Sequence, residues 1–337
     1  MRRPSAPPDE EASARALARR IASGDRRALA RAITLVESTR PGDRAAADAL
    51  MAALPQPGVE SLRIGIAGAP GVGKSTLIET LGLHAIGHGH RLAVLAVDPS
   101  SPVSGGSILG DKTRMAELSR ADAAFIRPSP AAGRLGGVAR RTAEAVRLCE
   151  AAGYGRIIVE TVGLGQSETA IADLVDLVLL LVPPGGGDEL QGIKRGIMET
   201  ADILAVTKAD GAMLEQAGRT AAEYQHALRL IRPQGGWTPV ARTCSALTGV
   251  GIAELWAEIE RFGAALGRAA IAARRGAQAV RQLSGEIEEE LKAALSRAGL
   301  GDRLAALERE VAAGRLTPRA AARSIVAELL DPGARKP

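Results

Sequence analysis

Short apolar runs recur along the middle of the chain, and they constrain its fold more than any other sequence feature. Each run is about five residues long and is separated from the next by a segment with helical periodicity. The hydrophobicity is continuous rather than alternating, which is typical of strands buried on both faces. We predict strands at 63–67, 92–97, 123–127, 156–160, 177–182, 203–207 and 239–243. The pattern predicts an α/β fold with a mostly parallel central sheet.

Helical periodicity fills the gaps between these runs and both flanks of the chain. The predicted helices of the central part are 74–87, 137–152, 189–200, 211–231 and 252–264. In the N-terminal flank, residues 10–54, Pro41-Gly42 separates two predicted helices. Beyond Leu266 the chain is again helical to about Leu330, with a break at Gly299–Gly301. We predict three parts: an N-terminal helical extension (1–58), the α/β domain (59–265) and a C-terminal helical arm (266–337).

Charge, cysteine content and hydropathy exclude several classes of protein. The net charge is +5, but the basic excess lies in the two ends and is mixed with acidic residues, so we expect no nucleic-acid partner. Cys149 and Cys244 lie far apart in the sequence and outside any metal-ligand spacing, which predicts neither a disulfide framework nor a zinc site. Apolar runs are too short to span a membrane, and the N-terminus lacks an apolar signal core. We therefore expect a cytoplasmic protein without a membrane partner.

A glycine-rich segment directly follows the first predicted strand and opens the next helix. It matches the phosphate-loop pattern G-x-x-x-x-G-K-[ST] in the context that the motif requires. The glycines let backbone N–H groups converge on a β-phosphate, Lys74 neutralises β and γ oxygens, and Ser75 supplies a ligand for Mg²⁺. The predicted nucleotide-binding residues are Gly68, Ala69, Pro70, Gly71, Val72, Gly73, Lys74, Ser75 and Thr76.

Two segments further along the chain predict which nucleotide base is bound. Thr207-Lys208-Ala209-Asp210 follows one predicted strand and Ser245-Ala246-Leu247 follows another, as in the [NT]-K-x-D and S-A-x pair of GTPases. The Asp210 carboxylate can accept two hydrogen bonds from guanine, and adenine offers no such donor pair. Lys208 would stack its aliphatic stem on the ring. Thr207 replaces the usual Asn, so we expect fewer bridging hydrogen bonds to the phosphate loop.

Glu160-Thr161-Val162-Gly163 stands where most GTPases carry D-x-x-G. A carboxylate at this position reaches Mg²⁺ directly or through water. No Gln follows Gly163 directly, and Gln166 is the nearest candidate to orient the attacking water. We therefore expect slow intrinsic hydrolysis of GTP to GDP, accelerated when a partner orders the switch segments.

Longer segments carry a more specific pattern: Val97–Ser101, Gly105–Met115, Arg127–Pro130, Gly136–Ala139, Glu160–Glu168 and Gly187–Lys194. Together they resemble one family, the methylmalonyl-CoA mutase-associated GTPases of the MeaB/ArgK/MMAA type. The resemblance covers about residues 60–265 and implies a P-loop GTPase that acts as chaperone of an adenosylcobalamin-dependent acyl-CoA mutase. Adenosylcobalamin would then belong to the partner. The flanking helices look like the family's N-terminal extension and C-terminal dimerisation arm, which implies a homodimer.

The resemblance also implies roles for single residues. Asp98, Asp111 and Glu160 would surround Mg²⁺ together with Ser75, and Asp111 would lie on a mobile switch. Gly185–Met198 would be a further switch, whose Asp188, Glu189, Gln191 and Lys194 are candidates to reach phosphate or partner. The candidate catalytic residues are Lys74, Asp111, Glu160 and Gln166. Pro183-Pro184 departs from the family's form, so partner choice could differ.

Two alternatives remain for the function. A metal-delivering GTPase would need ligands such as His84, His88 and His90, but Gly87 and Gly89 make a turn there and no cysteine cluster accompanies them. A kinase acting on a small molecule or a protein is compatible with the same fold. It would need a phosphoacceptor pocket, which the sequence does not locate.

Overall fold

A single parallel sheet forms the centre of the protein, as the apolar runs predict. The computed structural model describes residues 8–38, 40–98, 115–130, 135–161, 171–185, 195–229, 236–297 and 299–330. Within these residues the sheet has the order β3-β2-β4-β1-β5-β6-β7, and every neighbouring pair is parallel. The strands are β1 Leu62–Gly68, β2 Leu92–Asp98, β3 Ala124–Pro130, β4 Arg156–Thr161, β5 Leu177–Val182, β6 Ile203–Val206 and β7 Val240–Thr243. All seven predicted strands are confirmed.

Helices connect the strands and cover both faces of the sheet. They are α4 Lys74–Gly87, α5 Leu135–Ala151, α6 Arg195–Thr200, α7 Leu214–Leu228 and the first part of α8 Ile252–Arg297. The bounds of α4 agree with the prediction, and a short 3-10 turn over Gly211–Met213 precedes α7. Of the predicted helix 189–200, residues 189–194 lie outside the described residues.

The N-terminal flank forms three helices rather than the two predicted. They are α1 Pro8–Ala22, α2 Arg26–Glu37 and α3 Pro41–Ala53. The missed break lies at Gly24, where φ is 81°, followed by Asp25, whose carboxylate accepts hydrogen bonds from the N–H groups of Arg27 (2.9 Å) and Ala28 (3.0 Å). A glycine in the left-handed region followed by an aspartate N-cap ends one helix and starts the next.

The N-terminal helices pack on one face of the sheet domain. Leu29 and Ile33 of α2 are fully buried and belong to the same apolar cluster as Val146 of α5 and Ile157 of β4. Packing on the α/β core therefore buries the apolar side chains of these helices. Burial of large aliphatic side chains of this kind contributes about 1.5–3 kcal/mol each.

The C-terminal flank continues as helix to Leu330. Helix α8 has a kink at Gly267 (φ 67°, ψ 170°), and α9 Gly301–Ala312 and α10 Pro318–Leu330 follow it. The chain divides into two compact units, residues 1–278 and 279–337, so α8 contributes to both. The second unit has its own small apolar cluster, centred on Leu300, Leu307, Ala321 and Ile325. The predicted division at residues 58 and 265 stays a prediction.

Buried polar groups fix the first part of α8 to the amino edge of the sheet. Asp176 and Asp202 directly precede β5 and β6, and they form ion pairs with Arg275 (Nε to Oδ1 2.8 Å) and Arg274 (3.4 Å). Burial raises the pKa of Asp202, and the Arg274 guanidinium opposes that rise. The amide of Gln278 donates to the carbonyl oxygen of Val175 (2.6 Å). The nucleotide motifs lie at the opposite, carboxyl edge of the sheet, away from these contacts.

Among the described helices, none has the length and apolar character needed to cross a lipid bilayer.

Candidate nucleotide site

The phosphate loop connects the carboxyl end of β1 to the start of α4, at the centre of the sheet. Its backbone requires glycine at three positions, because φ is 152° at Gly68, 77° at Gly71 and 100° at Gly73. At Gly68 the space is restricted as well, since a Cβ atom there would lie 2.6 Å from the carbonyl oxygen of Leu181. No side chain caps α4 at Gly73. The free backbone N–H groups of the first turn of α4 can therefore bind an anion.

Lys74 lies over this loop rather than in solvent. Its ammonium group donates to the carbonyl oxygens of Gly68 (2.6 Å) and Ala69 (3.1 Å), and the residue is only 8% exposed. The positive charge of Lys74 thus lies at the opening of the loop, where phosphate oxygens would bind.

Ser75 and Glu160 come together beside the loop. The Ser75 hydroxyl donates to Oε1 of Glu160 (3.2 Å), and Glu160 is buried at the end of β4, next to β1 in the sheet. A hydroxyl and a carboxylate are the hard oxygen ligands that Mg²⁺ accepts in phosphate sites, so this pair fits the cation. The backbone of Asp98 ends β2, two strands from β1 on the same edge of the sheet.

Thr207 and Lys208 connect the phosphate loop to the segment predicted to bind the base. The buried hydroxyl of Thr207 donates to the carbonyl oxygen of Val72 (2.7 Å) and lies 3.3 Å from that of Val182. The ammonium of Lys208 donates to the carbonyl oxygen of Gly71 (2.8 Å), and its φ of 55° turns the chain sharply after β6. Thr207 therefore makes a bridge to the phosphate loop despite the absence of the usual Asn.

Asp210 and Ser245, which belong to the two segments predicted to bind the base, are in direct contact. The Ser245 hydroxyl donates to the Asp210 carboxylate, and the N–H of Ala209 donates to the carbonyl oxygen of Cys244 (3.1 Å). Ser245 is fully buried, and its own N–H donates to the carbonyl oxygen of Val250 (2.8 Å). These hydrogen bonds thus fix the backbone of the two loops that carry Asp210 and Ser245.

One positioning residue was not predicted from the sequence. The hydroxyl of Thr80, on α4, donates to the carbonyl oxygen of Ala246 (3.0 Å) and so connects the helix after the phosphate loop to the Ser245–Leu247 turn. The contact joins residues 166 positions apart in the chain. No local pattern signals it, because a single threonine on a helix face has many possible partners.

Asp111, Gln166, Asp188, Glu189, Gln191 and Lys194 lie outside the described residues, as does the side chain of Asp98.

The histidines lie at the end of α4, away from these motifs. The rings of His84 and His88 are 4.2 Å apart between centroids, and His90 lies against Trp256 (5.5 Å). Burial lowers the pKa of both His84 and His90. The part of the chain that the structure describes contains no group of three or more His, Cys, Asp or Glu side chains arranged to hold a metal ion.

A parallel sheet with a phosphate loop after β1, a hydroxyl–carboxylate pair beside it and a lysine–aspartate loop after β6 defines a P-loop GTPase. The model of one family, described as "Methylmalonyl Co-A mutase-associated GTPase MeaB", matches residues 29–299. The chain belongs to this family, and it is a guanine-nucleotide-binding enzyme that hydrolyses GTP.

Individual relatives agree with this assignment. A putative GTPase of Caulobacter vibrioides is 52% identical over 284 residues, 84% of this chain and 87% of the relative. The methylmalonic aciduria type A homolog, mitochondrial, of Mus musculus is 47% identical over 315 residues, 90% of this chain and 76% of the relative. Among solved structures, the crystal structure of a LAO/AO transport system kinase is similar to this chain, with a TM-score of 0.74 and 36% identity over 97% of this chain and 99% of that chain.

The bridge made by Thr207 leads to a prediction. Thr207→Val keeps the shape of the side chain but leaves the Val72 carbonyl without its donor, which should lower the free energy of unfolding by about 1–2 kcal/mol. We expect the Kd for GDP to rise several-fold as the loop loses this support. Chemical denaturation and GDP titration measure the two effects. Thr207→Ser retains the hydroxyl and is the matched control; GDP affinity unchanged in Thr207→Val would show that the bridge does not support binding.

Proposed function

We propose that the protein is a GTP-hydrolysing chaperone of an adenosylcobalamin-dependent acyl-CoA mutase, gating cofactor loading and protecting the mutase. The observation that carries the proposal is the family match, whose description associates the GTPase with methylmalonyl-CoA mutase. The name of the mouse relative, which refers to methylmalonic aciduria, supports it. The two cysteines are buried and unpaired, which suits a reducing compartment, and we propose the cytoplasm.

In this proposal the guanine nucleotide lies across the carboxyl edge of the sheet. Residues 68–76 hold the phosphates, with Lys74 released from the loop carbonyls to the β and γ oxygens. Asp210 accepts the N1–H and 2-amino hydrogens of guanine, and Lys208 covers the ring. Ser245, Ala246 and Leu247 complete the base pocket. Contacts of Lys208 and Thr207 with the phosphate loop support a pocket in which base and phosphate loops move together.

Mg²⁺ is the proposed metal, with Ser75 and Glu160 as its protein ligands or as ligands of its waters. Asp98 and Asp111 join them by family resemblance. The cation would neutralise charge on the phosphate oxygens. Gln166 is the proposed group that orients water, and its distance in sequence from Gly163 supports a slow intrinsic rate. The segment with Asp188, Glu189, Gln191 and Lys194 is the proposed switch that the mutase reads.

The base assignment predicts a change of nucleotide preference. Asp210→Asn replaces one carboxylate oxygen with an NH₂ donor and removes the charge, so one of the two guanine hydrogens loses its acceptor and GDP affinity should fall by about 100-fold. Affinity for xanthosine diphosphate should rise, because the Asn amide can donate to the 2-oxo group that xanthine carries. Competition binding with GDP, XDP and ADP measures this. GDP affinity unchanged in the variant, or ADP preferred by the unsubstituted protein, would contradict the assignment.

The chaperone role is tested with purified candidate mutases. We expect the protein to be retained by an immobilised adenosylcobalamin mutase to different extents with GDP and with a non-hydrolysable GTP analogue, and its GTP turnover to increase with the mutase. Labelled γ-phosphate should appear only in inorganic phosphate. Transfer of label to a protein or small molecule would favour a kinase instead. Failure to bind any methylmalonyl-, isobutyryl- or 2-hydroxyisobutyryl-CoA mutase would remove the chaperone role while leaving GTP hydrolysis intact.

A homodimer through the C-terminal arm is also proposed. Within the second unit, α8 carries four aliphatic residues on one stripe, Val280, Leu283, Ile287 and Leu291, which are 51–66% exposed. Spacings of three and four residues place such side chains on one face of a helix. A second copy of the same stripe would cover them by packing helix against helix.

A charged residue within this apolar stripe should dissociate the dimer. Ile287→Lys places a charge at the centre of the apolar stripe, and we expect a monomer by sedimentation at concentrations where the unsubstituted protein is a dimer. Glu289→Lys, on the same helix but outside the stripe, adds a lysine without removing apolar surface and should remain dimeric. A dimer retained in Ile287→Lys would place the interface elsewhere.

A further inference from the structure

A basic groove lies at the β3 edge of the sheet, within the first compact unit. It has a volume of about 1330 Å³ between α1, α2, α3 and β3, and none of its lining residues belongs to the nucleotide motifs. Arg27, Arg31 and Thr34 of α2 lie along it, and Leu17 of α1 and Phe125 of β3 line it from either side. We refer to it as the α2 groove.

Side-chain contacts hold α2 beside β3 at both ends of the groove. At one end Arg26 donates to the carbonyl oxygens of Asp122 (3.2 Å) and Ala121 (3.4 Å), in the turn before β3. At the other end Arg127 of β3 pairs with the Glu37 carboxylate and donates to the Thr34 hydroxyl (3.3 Å). The groove is therefore formed before any ligand binds, which lowers the entropy cost of binding.

The charges that line the α2 groove do not balance. Six arginines (20, 26, 27, 31, 40 and 127) face three carboxylates (Glu10, Glu37 and Asp43). Arg127 pairs with Glu37, and Arg20 pairs with Asp25 next to the groove. Arg27, Arg31 and Arg40 are exposed and form no ion pair among the described residues. The groove thus has positive charge that its own carboxylates do not neutralise.

We propose that the α2 groove binds an acidic amphipathic helix of a partner protein. Its volume exceeds the roughly 300–1,000 Å³ of pockets that small ligands fill, which favours a peptide segment. Arg27 and Arg31 are four residues apart on α2, so they match carboxylates at the same spacing on a facing helix. Leu17 and Leu35, which are only partly buried, can contact its apolar side.

A strand added to β3 is a poorer occupant. Strand β3 is the edge of the sheet, and Pro128, which lines the groove, has no N–H to donate to an added strand. The proposal does not depend on the guanine site or on the mutase partner, because the groove uses neither set of residues.

The test uses the full chain saturated with GDP and Mg²⁺, so that the phosphate loop does not take up an anionic probe. The probe is a fluorescein-labelled helical peptide with leucines on one face and glutamates on the other, measured by fluorescence anisotropy. Arg27→Glu/Arg31→Glu should weaken binding at least tenfold, and raising the salt concentration should weaken binding to the unsubstituted protein. Arg19→Glu/Arg229→Glu makes the same change in net charge at exposed positions outside the groove and should stay within about twofold.

Competing ligands distinguish an acidic helix from a phosphate-bearing ligand in the α2 groove. A peptide of the same length with lysine in place of glutamate should not bind. No saturable binding of the acidic peptide, or equal losses in the two double variants, would overturn the proposal. Displacement of the peptide by oligo-dT or inorganic phosphate at lower concentrations than by unlabelled peptide would also overturn it and assign the groove to phosphate groups. Thermal unfolding checks the variants, and the milder Arg31→Gln should give a smaller loss if the double variant proves unstable.

Discussion

The backbone of the turn between β1 and α4 is the constraint around which the rest of the molecule is arranged. Backbone N–H groups can converge on a phosphate only where no side chain stands between them, and the conformations at Gly68, Gly71 and Gly73 are ones that other residues rarely adopt. At Gly68 the adjacent strand β5 leaves no room for a Cβ atom. The start of the loop thus packs closely against β5, and the buried strands β1 and β5 support it.

Other elements of the site are tied to that loop. Thr207 and Lys208 bind its carbonyl groups from the end of β6, and Thr80 binds the turn after β7 from the helix that the loop opens. Each contact spans a large separation in the chain but a short one in space, because parallel strands bring all their carboxyl ends to one edge of the sheet. The segments predicted to bind the base and the phosphates are therefore joined by direct hydrogen bonds. On the opposite edge, Arg274, Arg275 and Gln278 hold α8 and leave the nucleotide edge open.

Helices and strands could be predicted where neighbouring residues in the sequence mark where they lie. The strands could be predicted because burial on both faces demands uninterrupted apolar residues, and α4 because the phosphate loop fixes its first residue. The extra break in the N-terminal flank was missed because Ser23-Gly24-Asp25 is a weaker signal than Pro41-Gly42, although Asp25 makes a regular N-cap. The boundary predicted between a helix over 252–264 and the helix beyond Leu266 lies close to Gly267, where φ of 67° and ψ of 170° interrupt the helical geometry of α8.

The sequence alone determined the class of fold, the phosphate loop and the family, and it predicted the base-binding pair, since each depends on residues that are adjacent in the chain or follow a strand directly. Tertiary structure alone decided that Thr207 bridges to Val72, that Thr80 supports the Ala246 turn, and that the arginines of α2 border a groove against β3. These contacts join segments with no local relation in sequence. Their partners are chosen by the order of strands in the sheet and by helix packing, which no short pattern encodes.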